Sequence, residues 1–578
     1  MNENLIWKII FRKLVFKSIF RENYFSENYF FIMLLFVLAS CANKEEPNEG
    51  MKRVLADLSN SDKNFAVIPL PDSIVKMEKG KFQMNSKTKI YTAVETISEA
   101  YYLLSFLKGQ PNNIRYRLDE DMDHLNKYGI YLMIDRKMKE EEGYSLKITK
   151  DYIKIVAKNE KGVFYGIQTL RQLMPDIAEE ENAGSENKLI IYVKRGIIGN
   201  NMTVPTCEIY DSPKFLFRGM KLDVSRHFFS IDFIKKYIDM LAMHKMNYFI
   251  WHLSDDQGWR IEIKSYPELT AIGARRAETI EGKNFNPFKG DGKEYFHFYT
   301  QEDIREIVDY AKDRHIEIIP EISFPGHASA ILAAYPGLGG QKEYNVKTEW
   351  GEFDNYIYPT SESLLFFKSV FNELKGLFPS KYIQVSGLGA RSKYIEDKEL
   401  KNLGFQKTSD LDDFFINNLK NWSETSGKKM IIGDIASVSV TSRSQVVLMA
   451  DIQKESGKHK NVIILDNQNF LDFSKYPTKK KDKDQISFGG YLNTKDVYLY
   501  HRTFQKHSTI LGAEATLRSD YIFSEELAFK HLLPRLPALS EVLWSNQDSL
   551  NWYSFKSRFN INLKGKLDKR NYDYSPFF

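Results

Sequence analysis

The chain has 578 residues, too many for one ordinary hydrophobic core, so two folded domains and an exported leader are expected. A hydrophobic share of 43% excludes wholesale disorder and multiple membrane spans, and 81 basic against 76 acidic residues exclude a polyanionic partner such as nucleic acid. The aromatic share of 14%, with 33 Tyr and 40 Phe, suits either stacking on sugar rings or an aromatic-rich core.

The first element is the apolar run 29–40, YFFIMLLFVLAS, which is short for a membrane span and follows a Lys/Arg-bearing start. Residues 1–40 therefore read as a secretory signal, with a retained membrane anchor as the alternative. The run ends in Leu38-Ala39-Ser40-Cys41, which resembles the lipobox of bacterial lipoproteins. That resemblance implies cleavage before Cys41, a diacylglycerol anchor on its thiol, and a location at the outer membrane or cell surface. Lys44-Glu45-Glu46 resembles the acidic export signal of surface lipoproteins. With Cys41 lipidated, Cys207 has no partner for an intramolecular disulfide.

Residues 41–64 are polar and read as a tether. Over 65–205, short β-rich pieces alternate with turns ("KIYTA", "YGIYLMID", "YSLKITKDYIKIVAK"), and the helix-like "GVFYGIQTLRQLM" closes the region. This is a small α+β domain ending near Pro205.

From 206 to 578 the pattern changes to strands alternating with amphipathic helices. The predicted strands are 219–225, 247–254, 316–323, 382–387, 429–435, 445–451, 461–467 and 509–517. The intervening "SIDFIKKYIDMLAMHKM" and "TQEDIREIVDYAKDRH" repeat apolar residues at three and four, with Ser230 and Thr300 placed to cap them. Eight buried β-runs with helical crossovers predict an α/β fold, a closed (β/α)8 TIM barrel behind the small α+β domain. An open doubly wound sheet shares the alternation, but no Gly-rich phosphate loop follows the first strand.

Barrel chemistry sits where strands end at the C-terminal rim. There strand one offers Asp223, Ser225, Arg226, His227 and Phe228; strand two offers His252, Asp255, Asp256 and Trp259; strand three offers Glu321 and His327 beside a Pro-Gly turn. The strings "RGMKLDVSRHFF", "WHLSDDQGWR" and "PEISFPGH", in this order and spacing, resemble glycoside hydrolase family 20, the β-N-acetylhexosaminidases. The likeness runs through "LPRLPALSEVLWS" and back into "IPLPDSI" and "GVFYGIQTLRQLMP", covering roughly 66–546 and weakest over 390–508.

The resemblance implies a reaction in which the substrate's own 2-acetamido oxygen attacks the anomeric carbon. The family's fourth strand supplies an Asp that orients that group and a Glu that protonates the leaving oxygen, in a string of the type HIGGDE. Here the string is Gln384-Val385-Ser386-Gly387-Leu388-Gly389, so Leu388 stands for the Asp and Gly389 for the Glu. Further family positions are altered as well: Ser323 for an Asp, Phe470 for a Tyr, Asp520 for a Glu, and Gly433, Met449 or Ala450, and Arg518 where Trp walls are expected. Retained positions are Arg226, which the resemblance assigns to sugar hydroxyls, and His252, Asp255, His327 and Asp472 around it.

Three readings follow. In the first, the chain is a non-catalytic relative that binds a glycan or aminosugar, or acts as a scaffold, its Arg226 cluster kept because each member satisfies the others. In the second it is an active glycosidase on terminal β-linked N-acetylhexosamine, using a relocated acid among Asp434, Glu514 and Asp520, each placed at a strand end; Glu396 and Asp397 lie too far beyond strand four. An ordinary hexosaminidase would need another HxGGDE-like string, and the chain has none. Metal binding by His252, Asp255 and His327 is an alternative for that cluster, but no HExxH-like spacing is present, so neither metal nor cofactor is expected. The sequence carries no signal for oligomeric state.

Overall fold

The structure is a computed structural model that describes residues 65–85, 88–107, 114–116, 128–175, 202–340, 343–388, 401–433, 446–450, 463–478, 486–487, 489–504, 510–576 and 578. The signal and tether, with Cys41, lie outside these residues, as do Gly389, Glu396, Asp397 and Asp434.

The small domain is a mixed seven-stranded sheet, in the order Ser73–Met84, Met202–Asp211, Tyr144–Ile148, Tyr152–Ala157, Gly129–Ile134, Lys89–Thr92, Ile114–Tyr116. Strict alternation in Tyr144–Ile148 and Tyr152–Ala157 turns one face inward. Against it lies the helix Glu160–Leu173, capped by the Asn159 side chain accepting from the Gly162 amide at 3.1 Å. The helix comes close because residue 166 is glycine; a Cβ there would stand 2.6 Å from Ile155 Cγ2. The boundary expected at 205/206 falls within a strand. Met202–Asp211 is one continuous strand, paired on both sides, and Pro205 sits opposite Lys81 at a register shift, where its missing N–H is tolerated.

The small domain docks on the barrel through buried polar groups. Lys245 Nζ lies 2.7 Å from Asp211 Oδ2 with both side chains fully enclosed, and Trp544 Nε1 donates to Asp211 Oδ1 at 2.8 Å. Arg218, also enclosed, reaches Glu142 at 2.7 Å and Tyr165 at 2.9 Å.

The predicted eight strands close into one parallel barrel. In chain order they are strand one Phe217–Asp223, two Tyr248–His252, three Glu317–Ser323, four Tyr382–Ser386, five Lys429–Ile432, six Val446–Ala450, seven Ile463–Leu465 and eight Ile510–Leu517. Ser230 and Thr300 cap Ile231–Met243 and Gln301–Lys312 as predicted, Thr300 within a capping box completed by Asp303. Side chains two apart along a strand share a side, so the barrel interior is layered. An apolar floor of Phe217, Tyr248, Ile250, Ile319, Tyr382, Ile431 and Ile464 fills the N-terminal end. Above it lies a polar layer, and above that the mouth.

Candidate active site at the barrel mouth

The polar layer is built on Lys221, one turn of the pleat below the end of strand one. Its ammonium lies 3.0 Å from both Glu321 and Glu514, and Gln384 donates to the same two carboxylates at 3.3 and 3.1 Å. Burial opposes the charged form of Glu321, but Lys221 and His252 outweigh it and hold the carboxyl well below the usual range. Burial raises Glu514 to about 7; Lys221 pulls against this, while Glu321 and Asp466 add to it. Glu514 therefore points inward, as expected of a relocated acid, but it does not stand at a strand end. It is mid-strand and 0% exposed, beneath the mouth rather than at it. That removes it from the acids able to meet a glycosidic oxygen.

The mouth begins with parallel pairing, which sets Asp223 beside His252 and His252 beside Glu321. Asp223 accepts from the Ser225 amide at 2.8 Å and the Ser519 amide at 3.1 Å, tying the end of strand one to the loop after strand eight. Arg226, mostly buried, binds Asp223 at 3.0 Å and Asp255 at 2.7 Å, with Asp520 3.6 Å from its Nε. His252 lies 3.1 Å from Asp255 and 3.2 Å from Glu321. Burial disfavours its charged form, yet Glu321 and Asp255 raise its pKa to about 9. His327 Nδ1 lies 2.9 Å from Asp256 and 3.3 Å from Asp255, and against burial these acids raise it to about 10. Asp256 in turn accepts from the Ser329 amide at 3.1 Å and from the Ser329 hydroxyl.

Four of the five residues assigned to sugar binding thus converge: Arg226, His252, Asp255 and His327. Asp472 does not join them. It accepts from the amide of Ser474 at 3.0 Å and from its hydroxyl, closing its own turn. Asp255, Asp256 and His327 also come within the spacing of a metal cluster, their ligand atoms within 4.8 Å of one another. His327 Nδ1 is engaged by both acids in this arrangement.

The strand-four side of the mouth is different. Gly387 has φ +85, and a Cβ there would stand 2.6 Å from Gly326 O, so glycine is needed on both counts. This locks strand four to the Pro325-Gly326 turn, with Phe324 N donating to Ser386 O at 2.8 Å and Gly326 N to Gly387 O at 3.1 Å. The next side chain, Leu388, is 5% exposed and belongs to the hydrophobic core. Ser323 and Ser386 face each other with hydroxyls 3.0 Å apart, so the replacement of a carboxylate at 323 leaves no orphaned polar group. Phe470 stacks on Tyr500 at 5.0 Å. Arg518 reaches Asp520 at 3.2 Å from its Nε, which leaves Asp520 as the described candidate acid at the mouth, engaged by two guanidinium groups. Lys221 and the side chains of the loop beyond Asp520 escaped the sequence reading. Strand alternation was the available signal for Lys221, which lies two residues before Asp223.

A closed parallel barrel with an arginine–carboxylate–histidine mouth, carrying a docked α+β domain, defines a glycoside-hydrolase type of scaffold. Comparison with known proteins agrees. The model of glycosyl hydrolase family 20, domain 2, matches residues 64–212, and that of the family's catalytic domain matches 215–547. The β-hexosaminidase of Porphyromonas gingivalis is 32% identical over 564 residues, spanning 94% of this chain and 67% of that protein. The β-N-acetylhexosaminidase structure from Bacteroides fragilis superposes with a TM-score of 0.69 at 28% identity, covering 88% of this chain and 97% of that one. The exo-β-N-acetylglucosaminidase of Vibrio harveyi, in complex with N-acetylglucosamine, gives 0.70 at 26% identity, covering 88% and 78%. The chain belongs to glycoside hydrolase family 20.

Proposed function

We propose that this chain is a non-catalytic member of its family, exported and tethered through Cys41 at the outer membrane or cell surface, whose barrel mouth holds a glycan without cleaving it. Leu388 carries the reading. Where family members place the carboxylate that polarises the acetamido group, this chain has a hydrocarbon packed into the core. With Gly389 next in sequence, neither position can carry a proton. Loss of the proton donor costs about 10²- to 10⁴-fold in rate, and loss of the group that stabilises developing charge multiplies that deficit. The relatives' names support terminal β-linked N-acetylhexosamine as the ancestral ligand class.

The test is turnover of a chromogenic β-N-acetylglucosaminide by the purified full chain. A rate equal to the protein-free control is expected. Turnover abolished by Asp520→Asn would replace this reading with that of an active glycosidase using a relocated acid.

A further inference from the structure

Beside the Arg226 cluster lies a cavity of about 530 Å³, within the size range of small-molecule sites. Its walls are aromatic. Trp350 stands edge-on to Tyr521, ring centres 6.5 Å apart, and the two pack with Ile280 as a cluster separate from the main core. Phe523, 65% exposed, has its ring 5.9 Å from that of His227. Tyr295 completes the lining, and Asp520 joins the cavity to the barrel mouth. The enclosed guanidinium of Arg276 lies 3.9 Å from the centre of the Tyr295 ring and 5.5 Å from that of Trp350, so both walls are fixed before any ligand arrives.

The polar groups here include acceptors beside the Thr279 hydroxyl. His227 Nδ1 lies 2.5 Å from the Ser519 carbonyl, which assigns the proton to that nitrogen and leaves Nε2 with a free lone pair. Burial pushes the imidazole down to about 4, so it stays neutral. Asp520 adds a carboxylate, and the rim carries Asp291 and Glu281, the latter paired with Lys289. Flat rings for a C–H face, and acceptors for hydroxyl protons, match an uncharged pyranose.

We propose that this cavity is a binding subsite for one neutral pyranose residue of a glycan, set beside the mouth and sharing only Asp520 with it. The proposal rests on the non-cleaving reading in one respect, that sugar held here stays intact.

The experiment is calorimetric titration of the full chain with N-acetylglucosamine, N-acetylgalactosamine, galactose and mannose, with tryptophan fluorescence followed in parallel. At least one sugar should bind. Phe523→Ala, an exposed position whose loss leaves the fold intact, and Tyr521→Ala should each weaken it by about tenfold, and Trp350→Phe should abolish the fluorescence change. Affinity lost in Arg518→Ala but untouched by Phe523→Ala and Tyr521→Ala would place the sugar in the mouth and overturn the subsite, leaving the non-cleaving reading standing. Silence from all four sugars overturns the subsite as well. Chromophore release from the aminosugar substrate, together with binding that depends on Phe523, would sink the non-cleaving reading and support the subsite.

Discussion

The two halves of the barrel mouth carry the same ancestry and different physics. Strands one to three end in a network where Arg226, His252 and His327 are each matched by acids within hydrogen-bonding reach. Among the described residues, strands four, seven and eight end in Leu388, the Ser323–Ser386 pair reached across from strand three, Phe470 against Tyr500, and Arg518 against Asp520. Removing any member of the first set strands a buried charge. Apart from the Arg518–Asp520 ion pair, the second set is made of packing contacts and neutral hydrogen bonds, which tolerate change one residue at a time. A charge network is therefore held in place by its own pairing, whereas a group that only packs is free to change.

Arg226→Met breaks the contrast most severely. It leaves Asp223 buried without its ion-pair partner and Asp255 with only the two histidines, and should cost about 3–5 kcal/mol in denaturant unfolding. Leu388→Ala should cost about 2–3 kcal/mol, as expected when a buried leucine is truncated where neighbours can partly close in; a silent Leu388→Ala would mean that the side chain is not core. Titration sharpens the contrast further. His252 and His327 have folded pKa values of about 9 and about 10, raised above the ordinary value of 6.5. Their stabilisation is complete below about 6.5 and declines as pH rises through the folded values, so the unfolding midpoint should fall between about pH 6.5 and 9. His327→Asn should flatten that fall. The smallest effect belongs to Ser386→Gly, which removes the partner of Ser323 and should cost about 1 kcal/mol.

Much of the fold was legible because barrel strands are buried on both faces and read as short, mostly apolar runs between amphipathic helices; all eight were found, with the Ser230 and Thr300 caps. The strand through Pro205 was not legible, because only the pairing partner shows that the proline sits at a register shift. At the site, strand ends placed Arg226, His252, Asp255 and His327 at the rim, and the family resemblance grouped them. The depth of Glu514 did not, because sequence gives the side a residue faces but not its height in the barrel. The aromatic cavity was not legible at all. Its walls come from Tyr295, Trp350 and the 520–523 segment, which no local period connects.

The most direct measurement compares two affinities for the full chain: that of N-acetylglucosamine, and that of a stable cyclised analogue whose fused ring mimics the acetamido oxygen closing on the anomeric carbon. A mouth built for that reaction favours the mimic by about 10²-fold or more. Here the two should bind within about tenfold of each other, because no carboxylate at 388 or 389 meets the developing charge. A preference for the analogue beyond about a hundredfold would mean that the catalytic half of the mouth still recognises its transition state.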